Sequence, residues 1–356
     1  MSDKKKIKVL VVDDSALVRK VLSELLGSDN EIEVIGAAGN PYFASRIIKA
    51  QIPDVITLDV EMPKMDGLTF LKILMSQKPI PVVIISSLTE KNSLTALKAL
   101  ELGAVEVIQK PTIKAITDTK NESRLHLIDL VKAASKAKIR KAKKNVPARL
   151  VTHSTSAFGS SAVNQTSMIK TTQKVVVMGA STGGTEALKE ILCSLPYDSP
   201  AIAIVQHMPE VFTKSFADRL NEICQIKVKE AENGDTLLRG QALIAPGNKH
   251  MLIKRSGAKY FVQLSDREPV NRHRPSVDVL FYSAARYVGS NCIGIILTGM
   301  GKDGANGLLE LRNSGADTIA QDENSSVVFG MPKEAIRLKA ARKILPLENI
   351  SSTILN

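Results

Sequence analysis

Ser181, His207 and Asp303 each follow a short apolar run, at 175–178, 201–205 and 293–297. Hydrolysis by a serine needs all three types. The hydroxyl is a poor nucleophile until an imidazole takes its proton, and the imidazole needs a carboxylate to fix its tautomer and stabilise the charge it gains. The run Val175-Val176-Val177-Met178 stops at Gly179-Ala180-Ser181-Thr182-Gly183-Gly184. A strand, a sharp turn and a helix N-terminus would present the hydroxyl beside unpaired backbone N–H groups. The order along the chain is Ser–His–Asp, unlike the Ser–Asp/Glu–His order usual behind a Gly-x-Ser-x-Gly elbow. The same glycine turn fits a dinucleotide loop, which wants an acid about 20 residues on, at the end of the next strand. That strand ends in Gln206-His207 instead. Residues 298–304 also fit a phosphate nest, with Asp303 as a cap. His250 and His273 compete with His207, but neither follows a clear buried run.

A second set of reactive side chains lies in the first third. Asp13, Asp14, Asp59, Ser86 and Lys110 all stand at the carboxyl ends of apolar runs. Converging carboxylates repel one another and are tolerable with a cation, and an all-oxygen ligand set points to Mg²⁺. A hydroxyl and an ammonium alongside would suit a phosphoryl group added to one carboxylate.

The elements that must position these groups alternate. Strands are expected at 8–12, 32–37, 55–58, 81–85 and 105–108, with helices at 15–26, 41–50, 67–75 and 92–102 between them. Regular β–α alternation with short connections implies a parallel, doubly wound sheet with its chemistry at the carboxyl ends of the strands. A further helix from 121 would bury Leu125, Ile128, Val131 and Ala134 and run on into a basic tail. Alternation returns after 173, where helices are expected at 185–195, 212–224, 277–288 and 305–314. Shorter segments at 226–230, 241–245, 251–254 and 261–264 leave room for an antiparallel part, and 318–320 begins a last strand. The division is a first domain at 1–122, a basic and then Ser/Thr-rich linker at 123–172, and a second domain at 173–356. His153 falls in the linker, where no role is expected for it.

At 356 residues two domains are the default. No apolar stretch reaches the ~18–20 residues that span a bilayer. The polar start and the Asp13-Asp14 pair argue against a signal peptide, so a cytoplasmic chain without membrane insertion is expected. The net charge of +12 is concentrated in Lys132, Lys136, Lys138, Arg140, Lys141, Lys143, Lys144 and Arg149. That run reads as a solvated helix end and linker; no nucleic-acid-binding signature accompanies it. Cys193, Cys224 and Cys292 are expected to be reduced, mostly buried, and neither a disulfide nor a metal set.

Residues 5–120 resemble the response-regulator receiver family through Val11-Val12-Asp13-Asp14-Ser15, Leu58-Asp59-Val60-Glu61-Met62-Pro63-Lys64-Met65-Asp66-Gly67, Ile85-Ser86-Ser87 and Lys110-Pro111. The resemblance implies a flavodoxin-like five-stranded receiver with Asp59 as phosphoacceptor. Asp13, Asp14, Asp59 and the backbone carbonyl of Glu61 would hold Mg²⁺. Ser86 and Lys110 would serve as the phosphate switch, and a histidine kinase as phosphodonor. Val107 stands where many receivers carry an aromatic switch residue, so signalling is expected through the face of the fourth helix and fifth strand. Residues 173–356 resemble the catalytic domain of the CheB methylesterase family through 179–188, Gln206-His207-Met208-Pro209, 244–247, 271–281, 296–305 and 328–332. This implies a doubly wound α/β domain with a mostly parallel sheet. Ser181 would be nucleophile, His207 base and Asp303 third member, with the Met300 and Thr182 backbone at the oxyanion. No cofactor is implied for the esterase. Asn271–Arg274 would shape the substrate cleft. The implied activity is demethylation of glutamate esters and deamidation of glutamines on chemoreceptors, in chemotactic adaptation. The chain would act as a monomer whose unphosphorylated receiver covers the Ser181 cleft.

Overall fold

The computed structural model describes residues 5–62, 66–87, 90–110, 122–138 and 174–355. The Ser/Thr-rich part of the expected linker, with His153, lies outside them. In the first unit β1 (Ile7–Val12), β2 (Ile32–Ala38), β3 (Val55–Leu58), β4 (Val82–Ser86) and β5 (Glu106–Gln109) alternate with α1 (Ala16–Gly27), α2 (Pro41–Ala50), α3 (Gly67–Gln77) and α4 (Glu90–Glu101). The sheet order is β2-β1-β3-β4-β5, with every pairing parallel. Because β1 sits between β2 and β3, the chain reverses its direction across the sheet there. The crevice at such a reversal opens at the carboxyl ends of the strands, where Asp13 and Asp59 stand.

The next helix, α5 (Glu122–Ala134), lies inside the stretch assigned to the linker but is built into the first unit's core. It buries Leu127, Ile128, Leu130, Val131 and Ala134, while Leu125 is exposed. The expectation that Leu125 faces the core is therefore corrected. The cause is that α5 is covered on two sides. One packs on β1, β4 and α1, and the other carries Leu127 and Leu130 toward a cavity shared with the second unit.

The second unit contains β6 (Val175–Ala180), α6 (Gly184–Cys193), β7 (Ala201–Gln206), α7 (Glu210–Ile223), β8 (Lys227–Glu230), β9 (Gln241–Ile244), β10 (His250–Ser256) and β11 (Lys259–Ser265). It continues with α8 (Val277–Tyr287), β12 (Cys292–Ile296), α9 (Ala305–Asn313), β13 (Asp317–Gln321), α10 (Met331–Arg337), β14 (Lys343–Leu345) and α11 (Leu347–Leu355). Seven strands in the order β14-β13-β12-β6-β7-β9-β8 form one sheet, each pairing parallel. The antiparallel part is a separate hairpin, β10–β11. The strand at 317–321 is not the last, since β14 follows it. Lys343-Ile344-Leu345 is too short to show an alternating pattern. From β6 the chain winds outward through β7 to β8 and β9, then crosses back to β12. The strands β12, β6 and β7 at the centre of the sheet are fully buried along their length. Among the described residues no helix is long and apolar enough to cross a membrane.

Candidate active site and acidic cluster

The three central strands β12, β6 and β7 deliver Asp303, Ser181 and His207 from adjacent carboxyl ends. Ser181 follows β6 directly, and its N–H donates to the Thr298 carbonyl at 3.0 Å, tying it to the loop after β12. The turn then passes through Gly183 at φ +77, where a Cβ would stand 2.6 Å from Val327 Cβ. Glycine is required there on both counts. Gly179 is needed for close approach, because its Cβ would lie 2.1 Å from Val277 Cγ1. That approach brings the N-terminus of α8 over the strand end.

Asp303 is 1% exposed and yet charged, because donors surround it. Its Oδ2 accepts from His207 Nε2 at 2.9 Å and the Val277 N–H at 2.7 Å. Its Oδ1 accepts from Asn271 Nδ2 at 2.7 Å, Ser276 Oγ at 2.8 Å and the Asp278 N–H at 3.3 Å. Burial pushes the carboxyl up. The bond and charge of His207, then Asn271 and the Val277 N–H, outweigh that and hold it well below the usual range. Two of the donors are first-turn N–H groups of α8, whose dipole favours an anion. With its proton on Nε2, His207 keeps a lone pair on Nδ1, which is buried and makes no hydrogen bond. The Gln206 amide holds the turn by donating to the Ser181 carbonyl at 3.0 Å and the His207 carbonyl at 3.1 Å.

Sequence reasoning placed Asn271–Arg274 at the cleft but did not foresee their contacts with Asp303 and His207. Asn271 bridges Asp303 and Asp278, reaching the latter's Oδ2 at 2.8 Å. His273 lies flat on His207, ring centroids 3.7 Å apart and planes 7° from parallel. Burial and the neighbouring His207 push its pKa down, which keeps the stacked ring neutral. The positive φ of Asn271 (54°) and Arg272 (66°), rare for residues with a Cβ, marks the special conformation that presents both side chains. No periodicity announces such a loop; the density of polar residues in Asn271-Arg272-His273-Arg274 was the available signal. His250 is placed elsewhere, its Nε2 on the Glu268 carbonyl at 3.0 Å and its Nδ1 accepting from the Ser276 N–H.

Ser181, Thr182, His207 and Met300 line a cavity of about 320 Å³ whose opposite wall is the first unit. Glu106 to Lys110 of β5 and its end, with His126, Leu127 and Leu130 of α5, close it. The N–H groups of Thr182 and Met300 donate to no backbone carbonyl among the described residues. Glu106 is the most constrained of the opposing groups. It is buried, hydrogen-bonded to the Thr182 hydroxyl and the Val107 N–H, and burial raises its pKa to about 7. His126 meets His273 edge to face at 6.3 Å, and Arg272 reaches Asp129 at 3.8 Å. Farther out α4 lies on α7, with Ser93 and Ser215 hydroxyls 2.6 Å apart. Glu101 there accepts Arg219 at 3.1 Å and faces Lys189 at 3.8 Å.

The three aspartates of the first unit converge with Lys110. Carboxylate oxygens of Asp13, Asp14 and Asp59 come within 4.8 Å of one another. Lys110 Nζ sits 2.6 Å from Asp59 Oδ2 and 3.0 Å from Asp13 Oδ2. Burial pushes the Asp59 carboxyl up, against the pull of Lys110 and of the Glu61 N–H that binds its Oδ1 at 3.1 Å. Three hard oxygen donors, two of them on buried side chains, fit Mg²⁺. Ser86 is buried at the end of β4, and its carbonyl accepts from the Lys110 N–H at 2.9 Å.

Known proteins match both halves. Residues 176–354 match the family described as CheB methylesterase, and residues 9–119 match the response regulator receiver domain. The chain is 56% identical to protein-glutamate methylesterase/protein-glutamine glutaminase 3 of Geobacter metallireducens, over 99% of each chain. It is also 56% identical to protein-glutamate methylesterase/protein-glutamine glutaminase 2 of Rhodospirillum rubrum, over 99% of this chain and 98% of that one. The crystal structure of the Thermotoga maritima CheB methylesterase catalytic domain superposes with a TM-score of 0.50 at 42% identity, covering 51% of this chain and 97% of that chain. Fold and matches together define the class, a response-regulator receiver joined to a hydrolase domain. The chain belongs to the CheB methylesterase family.

Proposed function

We propose that this chain hydrolyses glutamate methyl esters, and deamidates glutamines, on chemoreceptors during chemotactic adaptation, with Ser181 as nucleophile. The observation that carries this reading is His207. It is anchored through Nε2 to a charged, five-times-bonded Asp303, which leaves a buried, unpartnered Nδ1 in the wall of the cavity that holds Ser181. In this mechanism Nδ1 takes the Ser181 proton as Oγ attacks the γ-carbonyl. Asp303 stabilises the imidazolium, which then protonates the departing methanol, or ammonia from a glutamine. Water, deprotonated by His207, resolves the acyl-enzyme and restores Ser181. The N–H groups of Thr182 and Met300 are the donors assigned to the oxyanion. Such donors contribute about 3–4 kcal/mol each. Ser181→Ala is expected to abolish methanol release from methylated receptor; substantial residual release would refute the assignment.

The first unit supplies control. Asp59 is the assigned phosphoacceptor and a chemotaxis histidine kinase the phosphodonor. Asp13, Asp14, Asp59 and the Glu61 carbonyl would hold Mg²⁺, which when bound neutralises charge at the transferred phosphoryl group. A phosphoryl group at Asp59 carries about −1.5 to −2 charges. It takes Lys110 from its pairing with the carboxylates and draws in the Ser86 hydroxyl. Lys110 directly follows β5, whose Glu106 touches Thr182, so the perturbation reaches the Ser181 cleft within five residues. The expected result is release of the cleft.

A further inference from the structure

The sequence places Cys193 and Cys224 31 residues apart, and the fold brings their sulfurs to 3.3 Å. Cys193 is the last residue of α6 and Cys224 immediately follows α7, so the pair joins the C-terminal ends of two neighbouring helices. Both are half-buried, within reach of a small solute, whereas Cys292 is buried inside β12. A disulfide of about 2.05 Å needs these sulfurs to close by little more than an ångström, within what side-chain rotation can supply. The surroundings divide the labour. The contact with Cys224 and the charges of Lys189 and Arg219 lower the Cys193 pKa, while burial and the charge of Glu186 oppose them. The same contact, with burial, pushes Cys224 up. Two half-buried sulfurs in contact, either able to donate to the other once that one ionises, can serve as an attacking and a resolving cysteine.

We propose that Cys193 and Cys224 are a redox-sensitive pair that closes to an intramolecular disulfide when met by a hydroperoxide. The Cys193 thiolate attacks a peroxide oxygen, cleaving the O–O bond and releasing hydroxide or alkoxide, which takes a proton to leave as water or alcohol. This yields the sulfenic acid. Cys224 then attacks that sulfur, forming the S–S bond and expelling a second water, with its own thiol proton completing it. Two thiols are oxidised and one peroxide is reduced; an added dithiol returns the disulfide to two thiols by exchange, itself being oxidised. The bond ties α6 to α7 below α4, at the helices that carry Lys189 and Arg219 to Glu101.

The test uses the full chain with hydrogen peroxide, followed by intact mass, thiol titration and non-reducing peptide mapping. Loss of two of the three thiols, a mass lower by two hydrogens and a linked Cys193–Cys224 peptide, all reversed by dithiothreitol, are expected. Cys224→Ser is expected to trap a sulfenic acid on Cys193 that a dimedone probe labels, and neither Cys224→Ser nor Cys193→Ser should give an intramolecular cross-link. Three intact thiols under conditions that label Cys193 in the Cys224→Ser variant would overturn the proposal. So would over-oxidised Cys193 without the cross-link, or links formed only between chains.

Discussion

A charged carboxylate at 1% exposure is the unusual feature of the site at the scale of single residues. Burying an ion without partners is costly enough that the group would normally neutralise. Asp303 stays charged because Asn271, Ser276, His207 and two α8 N–H groups bind it. The N–H donors are fixed by the backbone, so the adjustable contributions come from the side chains. Asn271→Ala removes one charge-assisted hydrogen bond, about 1.5–3 kcal/mol, and strips a partner from Asp278 as well. It is expected to lower kcat by about 10- to 100-fold while KM changes little, because the lost bond steadies a charge relay partner rather than the substrate. Asp303→Asn is expected to be worse, by about 10³- to 10⁴-fold, since the amide presents the wrong partner to Nε2 and reverses the imidazole tautomer. Steady-state methanol release with a methylated receptor separates the two variants. Equal effects would mean that Asn271 does more than hold Asp303.

At the scale of elements the contact that matters is β5 against the Ser181 turn. Glu106 sits at its centre, with burial raising its pKa from 4.5 to about 7. An acid whose pKa is raised in the docked state favours docking while it is protonated. That contribution is complete below the undocked pKa and is lost as pH rises toward and through about 7. The ratio of unphosphorylated full-chain activity to that of the isolated second unit is therefore expected to increase from about pH 5 to about pH 7 and to level off above that. Taking the ratio cancels any pH dependence that the full chain and the isolated second unit share. Glu106→Gln keeps the shape and removes the titration, so its ratio should stay flat over that range; a slope unchanged from wild type would assign the pH dependence elsewhere. Nothing in the sequence singled out Glu106, because an acid on a short strand reads as a solvated edge residue until another domain covers it. The same limit explains the rest. Ser181, His207 and the Asp13–Asp59–Lys110 set were legible because each directly follows a buried strand, a local pattern, and Asp303 because it lies in the glycine-rich turn after another. Asn271 and His273 act from a loop of positive φ, which carries no period. Leu127 is buried and Leu125 exposed because α5 is buried on two sides, while a single amphipathic stripe predicts one. Cys193 and Cys224, each unremarkable alone, meet only through the packing of α6 on α7.

At the scale of the molecule the receiver is held to the hydrolase by contacts of unequal kind. Near the cleft they are buried and polar, namely Glu106 with Thr182 and His126 against His273. Away from it they are α4 on α7, with the Glu101 ion pairs to Arg219 and Lys189 on a partly exposed rim. Lys138, just past α5, adds bonds to the Val327 and Glu323 carbonyls at 3.2 and 3.1 Å. Exposed ion pairs are worth about 0–1 kcal/mol each, so the rim orients the units more than it binds them. Interfaces of this composition between domains are reversible, and under the proposed function a phosphoryl group at Asp59 would shift the population. The second unit has its own seven-stranded sheet and its own buried core, so a fragment covering 174–356 is expected to fold alone. Freed of β5 and α5, it should release methanol faster than the unphosphorylated full chain, and a phosphodonor should bring the full chain toward it without affecting the fragment. Asp59→Ala in the full chain should remove the response to phosphodonor and leave the slow basal rate. Glu101→Lys, which turns both rim pairs repulsive, should raise that basal rate by about 2- to 5-fold, the size expected for losing one or two exposed pairs. A fragment no faster than the unphosphorylated chain, measured as labelled-methyl release from receptor membranes, would remove the covering role assigned to the receiver.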